Sequence, residues 1–172
     1  MAETDSELAR PVGPIGRILF FCSYVFVLFG GLLMSVITVM TVVSVLGRYL
    51  ISAPISGDFE LVTMGTAISV FLFLPYCHLQ RGNVVVDVFL SWAPRRVQTF
   101  FDGISGLLLA AIAAMLAWRM IYGGLDMHQY NEVSYILALP VWPVFPVAVV
   151  ALGLLSAVSI YTAMRDFRET AR

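Results

Sequence analysis

The chain has 172 residues, 60% hydrophobic and 12% charged, with a net charge of -1 and a mean hydropathy of +0.91. Soluble domains carry about twice that charged fraction, so a water-soluble globule is excluded, and the balanced charge gives no footing for a nucleic-acid partner. The length leaves room for one compact unit, residues 1–172, and for no second domain.

The first 14 residues read as a flexible polar tail with Glu3, Asp5 and Glu7. Residues 18–47 then carry no charged side chain, between Arg17 and Arg48. About 20 apolar residues already cross a bilayer core, so this run spans it with a tilt. It far exceeds the roughly 7–15 apolar residues of a signal-peptide core, and no small-residue cleavage site follows, so it is expected to stay in the mature protein.

Four spans are expected, near residues 18–46, 61–79, 103–122 and 143–164. The second lies between Glu60 and Arg81. The third follows Asp102, with Arg119 near its end and Tyr122 at its interface. The fourth lies between Glu132 and Arg165, a window longer than a span needs. Pro140, Pro143 and Pro146 crowd its start, and proline suits a first turn better than a helix interior. Residues 135–143 are therefore expected to be interfacial or non-helical, with the regular helix starting near Pro143.

Arginine counts set the orientation. Arg10, Arg17, Arg81, Arg95, Arg96, Arg165, Arg168 and Arg172 fall on one side of a four-span topology; only Arg48 and Arg119 fall on the other. Both termini are expected in the cytoplasm.

The segment 84–101 between spans two and three has its own period. Val85, Val86, Phe89, Leu90, Ala93, Val97, Phe100 and Phe101 recur at spacings of one, three and four, which makes one apolar helical face. Pro94 divides it. An amphipathic in-plane helix on the membrane lipid surface is expected, with docking to a partner protein as the alternative.

Small residues recur four apart on every span: Gly31 and Ser35, Gly65 and Ser69, Gly106 with Ala110 and Ala114, Gly153 and Ala157. Such rows let helices approach closely, either within the bundle or against a neighbour. No charge lies deep in a span, so neither a proton relay nor a pore lining is in view. Arg48 and Glu60 face each other across the first outer turn. An ion pair between them and simple anchoring of both at the interface remain open.

Nothing in the sequence forms a catalytic or metal-ligand motif, so neither an enzyme nor a bound cofactor is expected. Cys22 and Cys77 lie inside apolar runs and read as small buried hydrophobes. His78 and His128 fall at opposite ends of a span, about 30 Å apart, which argues against one haem held by both within this chain.

The first hairpin and its exit resemble the small membrane subunit of tripartite ATP-independent periplasmic (TRAP) transporters, the DctQ family. The resemblance rests on Gly47-Arg48-Tyr49, Pro54, Glu60-Leu61 and the run Gln80-Arg81-Gly82-Asn83-Val84-Val85-Val86-Asp87, with Pro94 and the four-span length agreeing. It implies a subunit of the bacterial inner membrane that packs on and supports a large multi-span permease. That permease would take up an organic acid, coupled to sodium, from a periplasmic substrate-binding protein. Arg48, Glu60, Arg81 and Asp87 would then hold the hairpins and the partner contact rather than bind substrate. Two other readings stay open: the membrane anchor of a redox complex, and a carrier built from copies of this chain alone.

Overall fold

A computed structural model of the chain describes residues 13–52, 55–80 and 95–170. Arg81, Asp87, residues 84–94 of the amphipathic segment and residues 1–12 of the tail lie outside the described residues. Four helices make up the described chain: α1 (Gly13–Ile51), α2 (Asp58–Leu79), α3 (Arg95–Gln129) and α4 (Val144–Thr170). All four are long and apolar enough to cross a membrane. At 1.5 Å per residue, the 39 residues of α1 reach about 58 Å, well beyond a hydrocarbon core of about 30 Å. Arg17 and Arg48 therefore sit at opposite ends of this helix, at polar levels. Residues 95–101 are helix continuous with α3, so the latter part of the amphipathic segment is the lead-in to the third span.

Helix ends follow from local chemistry. Gly57 has φ 78°, a left-handed conformation that costs glycine little, and it turns the chain into α2. Asp58 and Glu60 stand in the first turn of α2, where the positive end of the helix dipole favours carboxylates. Pro75 lies inside α2 and is fully buried. The stretch 130–143 is non-helical, and α4 begins at Val144, directly after Pro143.

The helices pair through seven-residue seams. Gly16, Ser23, Gly30, Ile37 and Ser44 are the buried residues of α1, each seven positions from the last. They face Gly65, Ser69 and Leu72 of α2. Any Cβ on Gly65 would run into Ile37, and one on Gly30 would lie 2.8 Å from the Phe73 ring. On α3, Gly103, Gly106, Ala110 and Ala113 are buried at spacings of three and four. They meet Ala148, Leu152, Leu155, Ser159 and Ala163 of α4. This is the near-parallel packing of coiled-coil-like bundles. The apolar core is Ala113, Leu152 and Leu155, with Phe71 reaching in from α2.

The spatial order is α1, α2, α4, α3. The α3–α4 and α1–α2 hairpins pack most extensively, α2 also packs on α4, and α1 barely meets α4. Among the described residues α1 and α3 do not touch. The four helices therefore form an open row rather than a closed square. Side-chain bonds tie neighbours in the row. Ser156 donates from α4 to the Ala110 carbonyl of α3 at 3.1 Å, and His78 of α2 bonds Thr162 of α4 at 3.0 Å. Hydroxyls on the exposed faces look after themselves: Ser35, Thr38 and Thr63 each donate to the carbonyl four residues earlier.

Candidate partner-contact site

At the end of the row where α1 stops and α2 starts, two carboxylates do different work. Ser44, buried on α1, donates its hydroxyl to Asp58 at 2.5 Å and accepts the Ile55 amide at 3.3 Å. Asp58 also accepts the Phe59 amide at 2.7 Å and lies 3.5 Å from the Arg48 guanidinium. The α1–α2 turn is thus clasped by Arg48, Asp58 and Ser44. Arg48 is paired with Asp58, not with Glu60.

Glu60 reaches elsewhere. One carboxylate oxygen accepts the Ile136 amide at 2.8 Å and the other the Leu137 amide at 3.0 Å. Successive amides turned toward one anion form a nest, here filled by a side chain from another helix. Leu137 then packs against Gly57, where any Cβ would collide with it. Glu60 and Gly57 together pin the α3–α4 loop onto the start of α2.

The loop is also braced within itself. The Ser134 amide donates to the Leu139 carbonyl at 2.9 Å and the Leu139 amide returns to the Ser134 hydroxyl at 3.2 Å. Val133 and Pro140 form a single antiparallel bridge.

Of the four residues singled out in the sequence, Arg48 and Glu60 lie at this one end, in separate bonding groups; Arg81 and Asp87 lie outside the described residues. Asp58 and Ser44 join the site only in the structure: in the sequence Asp58 is one of two carboxylates two positions apart around the start of α2, and Ser44 is a hydroxyl within an apolar run. The usable signal was Ser44 at a position of the buried seven-residue repeat.

The small-residue rows divide. Gly65 is buried against α1, with Ser69 buried on the same row, and Gly106 and Ala110 are buried against α4, while Ala114 at the end of that row is exposed. The other two rows face outward. A Cβ on Gly31 or on Gly153 would meet nothing within 4 Å, and Ser35 and Ala157 are exposed. Beside the Gly153 row, a groove of about 460 Å³ opens between α3 and α4, walled by Gly124, Leu125, Phe145, Pro146 and Val150. On the α1 side a second apolar groove of about 470 Å³ is walled by Phe29, Leu32, Val36, Ile68 and Val147. These faces have the close-approach surface and apolar walls that a further membrane helix requires.

The histidines do not share a site. His78 bonds Thr162 near one end of α4, while His128 stacks edge-on against Trp142 at the other, ring centres 5.2 Å apart. From Trp142 to Thr162 a helical rise covers about 30 Å. Among the described residues no group of three His, Cys, Asp or Glu side chains is placed to hold a metal ion.

Comparison with curated proteins and with solved structures returned no match. Comparison with protein families matches residues 37–169 to the DctQ component of tripartite ATP-independent periplasmic transporters. The matched stretch begins in the middle of α1 and runs through the clasped turn, the pinned loop and nearly all of α4; the Gly31 row of α1 lies before it. The chain belongs to the DctQ family of TRAP transporter membrane components.

Proposed function

We propose that this chain packs on and supports the large permease subunit of a TRAP transporter, in sodium-coupled uptake of an organic acid delivered by a periplasmic binding protein. The observation that carries the reading is the open row, with one outward small-residue face on α1 and another on α4. A self-sufficient four-helix bundle closes on itself; a row with two such faces is shaped to lie along a larger helical body. The arginine distribution supports cytoplasmic termini, which puts the Glu60 end in the periplasm of a bacterial inner-membrane protein.

In this reading Arg48 with Asp58, and Glu60 with the α3–α4 loop, keep the row in register at its outer end. Arg81 and Asp87 are proposed to serve the inner end in the same way. None of them touches substrate. The test is reconstitution of the large subunit with and without this chain, driven by a sodium gradient. Uptake that needs both supports the proposal. Full uptake by the large subunit alone contradicts it.

A further inference from the structure

The α3–α4 loop holds Tyr135 fully exposed and Ile136 63% exposed at its apex. Exposed apolar residues on a loose loop are common. These two are unusual because the backbone beneath them is fixed. The amides of Ile136 and Leu137 are both held by Glu60, the Ser134–Leu139 bonds close the base, and Leu137 is wedged on Gly57. Ala138, two residues past Ile136, has φ 52°, a left-handed conformation uncommon for a residue with a Cβ. An aromatic and an aliphatic side chain on a fixed backbone bind at low ordering cost, which is the usual make-up of an interface anchor.

The charge around the apex selects the partner. At this end of the chain Asp126 and Glu132 are exposed and closest to the loop in sequence, Arg48 is paired with Asp58, and Arg119 lies about two helical turns before Asp126 on α3, so the carboxylates outnumber the arginines. An acidic flank is repelled by an anionic lipid surface and attracted by a basic protein rim. We propose that Tyr135 and Ile136 form a preorganised knob that enters an apolar pocket with a basic rim on a water-soluble protein. Resting on the function proposed above, that protein is the soluble component of the same transporter, and the knob is its contact on this chain.

The experiment uses the complex of this chain with the large subunit in nanodiscs, and the purified soluble component of the same system as probe. The double variant Tyr135→Ser/Ile136→Ser is expected to bind it about tenfold more weakly, mainly through faster dissociation, with assembly of the membrane complex unchanged. Glu132→Gln is expected to slow association and flatten its salt dependence. Unchanged affinity in the double variant overturns the proposal. So does an assembled wild-type complex that fails to bind the soluble component. A fluorophore at Tyr135→Cys, in a background with Cys22→Ser and Cys77→Ser, reports the membrane alternative. A lipid-like blue shift in nanodiscs without the soluble component also overturns the proposal. Failure of the two membrane subunits to assemble is a different result: it removes the function proposed above, and the knob with it.

Discussion

The Glu60 carboxylate, in the first turn of α2, accepts the backbone amide of Ile136, 76 residues further along the chain. This one side chain joins the first hairpin to the loop of the second. Loss of the carboxylate leaves Ile136 and Leu137 without their acceptor while the α2–α4 packing stays in place. Glu60→Ala is therefore expected to speed hydrogen exchange at these two amides by roughly fivefold to tenfold, with helix amides little changed. Equal exchange in wild type and variant would mean that the loop is held by Leu137 on Gly57 alone.

The pairing of Arg48 with Asp58 gives a second expectation. Arg48 is 63% exposed, so its pair is a surface pair and contributes little. Asp58 also bonds buried Ser44 and so matters more. Arg48→Ala is expected to leave the melting temperature of the detergent-solubilised chain nearly unchanged, and Asp58→Asn or Ser44→Ala to lower it. Equal loss from all three would show that the guanidinium is the main tie.

Ser156 makes a hydrogen bond between α3 and α4. Bonds of this kind in membrane proteins average about 0.6 kcal/mol and reach about 1.7 kcal/mol. Ser156→Ala is expected to fall within that range in reversible unfolding. A larger loss would point to a packing role for the Ser156 side chain beyond the bond.

The two kinds of glycine separate folding from assembly. Gly65→Leu meets Ile37 and forces α1 off α2, so overpacking of about 1–3 kcal/mol or more is expected, visible as a lower melting temperature of the chain alone. Gly31→Leu and Gly153→Leu start from a Cβ with nothing within 4 Å and improve helix propensity, so the chain alone is expected to be as stable as wild type. Their effect should appear only when the large subunit is present, as lost co-purification. A Gly31 or Gly153 variant that destabilises the isolated chain would show that its face is already used within the fold.

Much of the fold was legible because long apolar runs bounded by arginines have few alternatives, and because prolines before Val144 mark where a helix can start. The seven-residue seam on α1 was not read, since glycine and serine at its buried positions carry no hydropathy signal against a background of Val and Leu. The open row was not legible either: a small-residue row looks the same whether it faces a sibling helix or open space. At the site, Arg48 and Glu60 lie at one end, but the partners they bond could not be read from residue type. Glu60 binds backbone amides, which leave no trace in residue type, and Asp58 is the better-placed acid for Arg48 because Ser44 holds it against α1.

As a supporting subunit, this chain is proposed to have its open faces covered by a larger membrane protein. The decisive experiment is co-purification of the tagged chain in mild detergent, followed by mass measurement of what comes with it. The predicted result is a colourless complex with one large multi-span subunit, lost in Gly31→Leu or Gly153→Leu while the chain itself remains folded. A homogeneous assembly of this chain alone, or a haem-coloured complex with soluble redox subunits, would contradict it.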